Sequence, residues 1–439
     1  MRGFLIWEEK VKKVIKTLCV ICLIILLSYS IVNKLYVTYD VRCTDKNINY
    51  TVEYKGLNNA VDFDRGEDGT FYIAYDNKVQ AIYSDGKSKD IIKDSNDEIM
   101  SILYYKGKLY IAKGHGIYCY DFQSKKLKEI LNNIPNFGDY KKVQIKAYNE
   151  YIYASVGSAT NSGVVGDDNK WTSTNPYGFD ITPSSITLKG INFGKDKTGA
   201  FVPYKTSNIR GQIIPNHFPG NSSVIIINTK TKAAETYAWG IRNICGMDFT
   251  SRGKIIASVG GMENRGLRPI KGDVDYIYSI EKGKWYGWPD YSGGDPVDSP
   301  KFKNKTKRIL DKVPNINPPA PLYEYNSNQS LGAVAVDSNG SMGLKDLIYV
   351  YDKKNNSIMV INENKLNKYI VFTNKTCVEN FKIYKDGIYV LDSKEGCLLK
   401  FYKHHENALL IVDKKILYCI VLAIGISALV ILVYGMKKN

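Results

Sequence analysis

Histidine is scarce in this 439-residue chain, and the spacings that mark common catalytic centres are missing. The four histidines are His115, His217, His404 and His405, and only His217 falls in a segment that we place near a candidate site. No Ser/His/Asp or Cys/His arrangement stands out, and no glycine-rich loop of the phosphate-cradling kind occurs. The sequence therefore gives no support to a triad hydrolase or a P-loop enzyme.

Cysteine is also used without a recognisable pattern. Three of the eight cysteines lie inside long apolar runs, and the other five are Cys43, Cys119, Cys245, Cys377 and Cys397. None of these has the spacing of a zinc site. Cys377 and Cys397 flank one predicted hairpin, so a cross-strand disulfide is possible. An odd count leaves at least one thiol free or paired with another chain.

The chain has fewer acidic than basic side chains, 44 against 60, which gives a formal net charge of +16. No nucleic-acid-binding motif and no low-complexity linker accompany this excess. A basic domain outside the cell would attract anionic lipid head groups or anionic surface polymers. The alternative is a lysine-rich composition spread over a solvated surface.

Two apolar runs predict transmembrane helices at residues 17–33 and 416–434, because each approaches the roughly 20 residues that a span needs. A cleaved signal peptide is the alternative for the first run, but its leading segment is long and charged and no clear cleavage site follows. Basic residues concentrate before this run, so the positive-inside rule predicts a plasma-membrane protein. The tails 1–16 and 435–439 are then cytoplasmic, and residues 40–405 form a domain outside the cell.

Six copies of one pattern fill this domain, each made of a short apolar strand, a tight polar turn and a second apolar strand. The copies are Ala60–Asp76, Ser101–Gly114, Val143–Gly157, Gly246–Gly260, Ala333–Asp352 and Phe381–Ser393. Another strand-like run follows each copy, and the uninterrupted period is about 40 residues, a propeller-blade length. The sequence predicts an all-β, six-bladed propeller, with β-sandwiches as the alternative.

Two long insertions interrupt the repeats, at residues 158–222 and at about 261–330. Both follow the second strand of a copy, and equivalent positions in adjacent blades share one face of a propeller. The segments that enter the third and fourth copies, residues 139–142 and Arg242–Asn243, should lie on that same face. We therefore expect a functional site where these four segments meet.

The first candidates at this site are Arg242 and Asn243, since a guanidinium can bind a carboxylate through two hydrogen bonds. The alternative is an ion pair between Arg242 and a carboxylate of a neighbouring blade. In the first insertion, Asp167 and Asp168 stand in a glycine-bounded loop and are candidate Ca²⁺ ligands. A polar turn that caps itself is the alternative reading of that loop.

The second insertion mixes charges of both signs with an aromatic run, GKWYGWPDYSGG. Its candidate substrate-face residues are Arg265, Arg268, Asp275, Trp285, Tyr286 and Trp288. Aromatic rings stack on sugars while charged groups bind hydroxyls, so this composition suits a sugar or polyol site. It equally suits an ordered loop that ion pairs hold in place.

With these motifs the chain resembles the glucose/sorbosone dehydrogenase family. The resemblance rests on AWGIRNICGMDF (Ala238–Phe249), on WYGWP (Trp285–Pro289), and on the flanking runs TNSGVVGDDNKW and ENRGLRP. It implies a six-bladed propeller that oxidises a sugar or polyol with pyrroloquinoline quinone (PQQ) and Ca²⁺. It also implies that Arg242 and Asn243 contact the quinone.

The sequence departs from that family where the catalytic base belongs. Family enzymes carry a histidine just before the third repeat, and this chain has Asp139, Tyr140 and Lys141 there. Asp139 is a weak candidate for the base. Two functions follow: a membrane-anchored, quinone-dependent sugar dehydrogenase, or a non-catalytic propeller that binds a carbohydrate or a protein partner at the cell surface.

Overall fold

Short apolar runs and reversing turns organise the described part of the chain. The computed structural model describes residues 41–93, 97–362, 365–373 and 376–403, together with the single positions Leu23, Leu26, Ser30 and Ala423. Val41–Lys403 forms one compact unit, and a second unit comprises Met1–Asp40 with His404–Asn439. The predicted spans at 17–33 and 416–434 lie outside the described residues except at those single positions. Within the described residues, no helix is long and apolar enough to cross a membrane.

The first half of this unit is built from short strands, many of them buried along most of their length. In chain order they are β1 (Val41–Cys43), β2 (Ile48–Lys55), β3 (Ala60–Arg65), β4 (Phe71–Tyr75), β5 (Lys78–Ile82), β6 (Ser88–Lys93), β7 (Ile99–Tyr105), β8 (Lys108–Lys113), β9 (Gly116–Asp121), β10 (Lys126–Leu131), β11 (Ile145–Tyr148), β12 (Tyr151–Val156), β13 (Ile186–Leu188) and β14 (Ile213–Ile214). A short 3-10 helix spans Lys170–Ser173.

The second half continues in the same way. Its strands are β15 (Ser223–Asn228), β16 (Ala234–Trp239), β17 (Ile244–Phe249), β18 (Ile255–Val259), β19 (Tyr276–Ile280), β20 (Tyr291–Ser292), β21 (Asp295–Pro296), β22 (Leu310–Lys312), β23 (Tyr323–Glu324), β24 (Leu331–Asp337), β25 (Leu347–Asp352), β26 (Ser357–Asn362), β27 (Lys365–Phe372), β28 (Val378–Tyr384), β29 (Gly387–Asp392) and β30 (Cys397–Lys403).

These strands form six antiparallel blades in the described ranges: β3–β6, β7–β10, β11-β12-β15-β16, β17-β18-β19-β23, β24–β27 with β1 added, and β28–β30 with β2 added. The innermost strands contact one another in a closed ring, β3, β7, β11, β17, β24, β28 and back to β3. Strand β2, near the start of the unit, pairs with β30 and completes the last blade. The described domain is therefore an all-β propeller with six blades, as the repeats predict.

Each predicted repeat is the innermost hairpin of one blade. We define the top face as the face at which the innermost strands begin. In five of the six innermost hairpins the pairing register shifts at the top end of the first strand. Because a β-bulge bends a strand and redirects its side chains, these irregularities shape the mouth of the central channel.

Ion pairs close the ring between the last blade and the first. The Lys382 ammonium of β28, almost fully buried, lies 3.8 Å from a carboxylate oxygen of Asp62 and 3.4 Å from one of Asp64, both on β3. The other oxygen of Asp62 accepts the Ile102 N–H of β7, and the Asp64 oxygen near Lys382 also accepts the Tyr104 N–H of β7. One polar cluster thus ties three blades together around the channel.

The second insertion, predicted at about residues 261–330, contains the third strand of blade four. YIYSI, Tyr276–Ile280, is the third strand of blade four because its side chains are mostly buried and it pairs fully with β18. Residues 281–288 then run parallel to β16, with a bridge between Trp239 and Trp285. Strands β13, β14 and β22 form a small sheet that joins the two insertions.

The disulfide considered between Cys377 and Cys397 is not formed, and none of the five cysteines in the described ranges takes part in a disulfide. Cys397 pairs across the sheet with Asp392 of β29, whereas the Cys377 N–H binds the Asp392 carboxylate from the other side. Two strand spacings, roughly 9 to 10 Å, separate the cysteines, more than a disulfide can bridge.

Candidate functional site

Arg242 enters the top face from a sharp turn between blades three and four. Gly240 adopts a positive φ of 70°, and a Cβ there would come within 2.3 Å of the Trp285 ring, so only glycine fits. This turn directs the side chain of Arg242 inward, where it is 3% exposed. Burial lowers the pKa of Arg242 to about 10, although the Glu263 carboxylate opposes the shift.

The guanidinium of Arg242 is surrounded by acceptors from the protein itself. Its Nε binds the Asn161 carbonyl at 3.1 Å, and Nη1 binds the Gly260 carbonyl at 3.2 Å. Its Nη2 contacts the Glu263 carboxylate at 2.6 Å, the Asn161 side-chain oxygen at 3.0 Å and the Tyr140 hydroxyl. The Tyr140 ring covers the guanidinium, 4.1 Å from ring centre to Cζ. Arg242 therefore forms an ion pair, as in the alternative considered from the sequence, and its partner Glu263 follows the second strand of blade four.

Arg265 gathers three carboxylates beside Arg242. Its guanidinium binds Glu263 at 2.7 Å, Asp168 at 2.5 Å and Asp139 at 2.6 Å. Burial opposes its charge, but the hydrogen bonds to Asp139 and Glu263 prevail and raise the pKa of Arg265. We call Asp139, Asp168, Glu263, Arg242, Arg265 and Tyr140 the arginine cluster. It joins the loop before blade three to both insertions.

Asp139, the weak candidate for a base, is engaged on both oxygens. Oδ1 accepts from the Trp171 indole at 2.9 Å, and Oδ2 accepts from the Asn169 amide at 2.9 Å and from Arg265. Donors from the protein therefore occupy both oxygens of this carboxylate. Its geometry is that of a structural anchor.

The same donor set tests the fit of Ca²⁺ and PQQ. Asp167 is exposed, and Asp168 gives one oxygen to Arg265 while its other oxygen, buried, has no hydrogen-bond partner in the described residues. Ca²⁺ needs six to eight oxygens, and the described ranges hold no group of three or more metal-ligating side chains. With Arg242 bound to protein acceptors as well, the arginine cluster and Asp167 fit neither group.

Two further candidates, Arg268 and Asp275, are buried supports. Arg268 forms a fully buried ion pair with Asp290 at 2.7 Å and also donates to the carbonyls of Ser162, Pro289 and Lys307. Burial lowers the pKa of Arg268, with Asp290 opposing the shift. Asp275 accepts four backbone N–H bonds, from Gly261, Gln329, Ser330 and Leu331, at 2.6–3.1 Å. Neither side chain is open to solvent.

The aromatic run is also buried. Trp285 and Trp288 belong to a core cluster that fills the space between the two insertions, and Tyr286 packs between blades three and four. The Trp288 indole donates to the Asn161 carbonyl, the same oxygen that Arg242 binds. The run therefore holds Asn161 beneath Arg242 and presents no open aromatic face to a sugar.

A separate cavity of about 510 Å³ opens at the mouth of the channel on the top face. Its lining comes from the starts of blades three to six and from the β25–β26 turn: Lys142, Asn243, Ile244, Cys245, Gly332, Ala333, Tyr351, Lys353, Lys354, Asn356, Thr376, Cys377, Val378 and Glu379. Of the predicted site residues, Asn243 alone lines it. We call it the mouth cavity.

Sequence reasoning missed most of the mouth cavity, and one signal could have found it. Lys142, Thr376 and Glu379 stand at or just before the first strand of a repeat, the same position that singled out Arg242 and Asn243. Lys353 lies in a turn that repeat geometry also puts on the top face. His217, the one histidine expected near the site, is exposed, and its Nδ1 lies 2.9 Å from the Pro219 carbonyl.

A buried carboxyl next to the arginine cluster makes stability depend on pH. Asp180 contacts the Ala159 N–H at 2.6 Å and the Thr160 hydroxyl at 2.5 Å, and burial raises its pKa to about 7. Between about pH 4 and pH 7 the folded state binds more protons here than the unfolded state, so stability falls as pH rises. In Asp180→Asn this contribution is absent. We expect the denaturation midpoint to drop less from pH 5 to pH 7.5 than in the wild type; an equal drop would contradict the assignment.

Comparisons with known proteins agree with this architecture. The family model for Glucose / Sorbosone dehydrogenase matches residues 216–393, whereas no curated protein sequence matches the chain. The PQQ domain of pyranose dehydrogenase from Coprinopsis cinerea is 11% identical with a TM-score of 0.57, covering 83% of this chain and 97% of its own.

Two other solved structures have the same fold. A calcium structure of a Trichoderma reesei enzyme of Carbohydrate-Active Enzymes Family AA12 is 13% identical, with a TM-score of 0.58 and coverage of 84% of this chain and 98% of its own. The soluble aldose sugar dehydrogenase from Escherichia coli, in the apo form, is 12% identical, with a TM-score of 0.52 and coverage of 81% and 100%. At such identities the likeness concerns the fold alone. The resemblance predicted from the sequence is confirmed: residues 216–393 carry the pattern of the glucose/sorbosone dehydrogenase family, within a propeller of the kind that sugar dehydrogenases share.

Proposed function

We propose that this protein is a membrane-anchored propeller of the sugar dehydrogenase type that binds a ligand at the cell surface without oxidising it. The observation that carries the proposal is the state of Arg242. All three of its nitrogens bind acceptors from the protein, and Tyr140 covers its face. A quinone would have to displace these partners.

Displacement would be costly because the partners are buried or partly buried and bind one another. Glu263 also binds Arg265, and Asn161 also receives the Trp288 indole. Truncating one partner of such a buried, charged network typically costs about 3–5 kcal/mol. The arginine cluster therefore acts as a structural replacement for a cofactor site.

Proton transfer lacks a suitable group as well. Oxidation of a sugar hydroxyl needs a base within hydrogen-bond reach of the substrate. Tyr140 occupies the region where the family's histidine is expected, and its hydroxyl donates to Glu263 at 2.5 Å. Asp139 is bound by three donors. No step of a quinone mechanism can be assigned to these side chains.

Location at the plasma membrane rests on the sequence. The apolar runs at 17–33 and 416–434 support two spans, and the basic N-terminal segment supports cytoplasmic termini with the propeller outside. A cavity that opens on the top face suits a surface protein that meets soluble or polymeric ligands.

The second candidate function is a quinone-dependent sugar dehydrogenase. The family match over residues 216–393 and the sugar dehydrogenase folds favour it. It would require the arginine cluster to open and admit PQQ.

Reconstitution of the full-length protein in detergent distinguishes the two functions. With PQQ and Ca²⁺ added, we expect no dye reduction with any sugar of a panel and no quinone retained on gel filtration. The amount of quinone retained by a Tyr140→Ala variant, in which the ring no longer covers Arg242, is compared with the amount retained by the wild-type protein. Turnover by the wild-type protein would overturn the proposal in favour of the dehydrogenase.

A further inference from the structure

The mouth cavity carries an excess of positive charge. Three lysines, Lys142, Lys353 and Lys354, line it together with one carboxylate, Glu379. Lys142 lies 3.6 Å from Glu379. Among the described residues, the ammonium groups of Lys353 and Lys354 have no carboxylate within ion-pair distance. A concave site lined by one sign of charge raises the local concentration of the opposite ion.

The positive charge acts on the wall of the cavity. Burial raises the pKa of the Cys245 thiol, and the charges of Lys353 and Lys142 oppose that shift. The Lys353 side chain packs over Gly332, where an added Cβ would lie 3.2 Å from Cε. Lys353 of blade five and Lys142 of the loop before blade three therefore both act on the Cys245 thiol, so their charges converge on the same wall of the cavity.

An unsatisfied hydroxyl lines the same cavity. Thr376 is 8% exposed, and its Oγ1 has no hydrogen-bond partner in the described ranges. A buried polar group without a partner destabilises the folded state, so its retention calls for an explanation. Asn243 adds an adaptable amide, because within the described ranges its Nδ2 binds only the weak acceptor Cys245 Sγ, at 3.4 Å.

Part of the remaining wall is apolar. Ile244, Ala333 and Val378 line the cavity together with Tyr351. Ammonium groups suit a carboxylate, the hydroxyl and the amide suit ligand hydroxyls, and the apolar wall suits the C–H face of a sugar ring. A cavity of about 510 Å³ has room for one or two sugar units.

From these features we infer that the mouth cavity binds a sugar acid, a sugar unit that carries a carboxylate. The inference rests on the proposed function and adds the ligand class to it. Lys353 pairs with the carboxylate, and Thr376 and Asn243 bind hydroxyls. The unit comes either as a free sugar acid or as part of an anionic polymer, and both present the same chemistry to the cavity.

Calorimetry on the full-length protein in detergent, without quinone, tests the inference with galacturonate and with galactose, which differ in one carboxylate. We expect galacturonate to bind at least about tenfold more tightly. Raising salt from about 0.05 M to about 0.5 M should weaken galacturonate binding and leave galactose unchanged. Equal affinity for the two sugars, or no binding of either, would overturn the inference.

Three variants locate the site. Lys353→Met should weaken galacturonate binding about tenfold and leave galactose unchanged. Its matched control is Lys394→Met, an exposed lysine in the equivalent turn of blade six that does not line the cavity. Thr376→Val should weaken binding of both sugars without lowering the denaturation midpoint, since it removes a hydroxyl that has no partner. An equal loss in Lys394→Met would place the binding elsewhere and overturn the inference.

Alkylation of thiols gives a readout that needs no variant. Cys377 is exposed at the cavity, whereas Cys119 is partly exposed in blade two. Galacturonate should slow alkylation of Cys377 by iodoacetamide, measured by mass spectrometry, and leave Cys119 unaffected. Unchanged labelling of Cys377 at saturating galacturonate would contradict the assignment of the cavity.

The outcomes separate this inference from the proposed function. Tight binding of galactose alone, without turnover, would contradict the sugar-acid inference but agree with the proposed binding function. Sugar oxidation with added PQQ would contradict the proposed binding function, whatever the result with galacturonate. Comparing galacturonate with its trimer identifies the source: a trimer that binds at least as tightly as the monomer indicates a polymer, and binding of the monomer alone indicates a free sugar acid.

Discussion

Replacing Arg268 by Met is expected to lower the free energy of unfolding by about 3–5 kcal/mol. Arg268 and Asp290 form an ion pair at 2.7 Å in which both side chains are fully buried. Methionine fills much of the volume but leaves the Asp290 carboxylate with the Ile309 and Leu310 N–H groups as its only partners among the described residues. Burial already raises the pKa of Asp290, and the loss of Arg268 removes the charge that opposes this shift.

Denaturation of the full-length protein in detergent, followed by tryptophan fluorescence, measures this effect. Arg308→Met is the matched control, because the ion pair between Arg308 and Asp298 is about one-third exposed on each side. Exposed pairs contribute about 0–1 kcal/mol, so this control should change little. If the free energy of unfolding fell by a similar amount in both variants, burial would not determine how much these ion pairs contribute to stability. A near-neutral Arg268→Met would contradict the support role of the buried pair.

Replacing Asp275 by Ala is expected to cost about 4 kcal/mol or to prevent folding. Its carboxylate, 0% exposed, accepts the backbone N–H groups of Gly261, Gln329, Ser330 and Leu331. Alanine would leave four donors in the interior without this acceptor. Because Ser330 and Leu331 lead into β24, the loss loosens the joint between blades four and five.

Asp275→Asn provides a graded comparison, since the amide keeps the shape and one acceptor oxygen. It should lose less than alanine does. Asp311→Ala is the control: Asp311 is exposed in β22, and its removal should change stability by less than about 0.5 kcal/mol. If Asp275→Ala lowered the free energy of unfolding as little as Asp311→Ala does, Asp275 would not be a structural support and could serve the substrate role predicted from the sequence.

The repeats were readable from the sequence because a blade's innermost hairpin is a local structure. Apolar alternation around a tight turn, as in Phe381–Ser393, depends on residues that are close in the chain. The strand Tyr276–Ile280 was missed because its partners are Ile255–Val259 on one side and Tyr323–Glu324 on the other, and no turn signal marks it.

Repeat geometry predicted the face on which the candidate residues lie, and the sequence left open whether they bind a ligand or one another. Repeat geometry brought Arg242, Asp139 and Asp168 to one face, and the structure joins them through Arg265. The residue types equally allow an open ligand clamp or a self-satisfied network. Exposure decides between the two, and exposure depends on how the two insertions pack.

By itself the sequence determined the blade number, the face that carries the insertions, the family resemblance and the absence of a histidine where the family's base belongs. These follow from periodicity and residue identity, which need no distant contact. Tertiary structure decided which side chains are open to a ligand. It buried Trp285, Trp288 and Arg268 within the insertions, locked Arg242 to Glu263, and left Lys353, Thr376 and Asn243 around a cavity at the channel mouth. The physical reason is that a charged or aromatic side chain can serve either packing or binding, and only its surroundings in the folded chain select one.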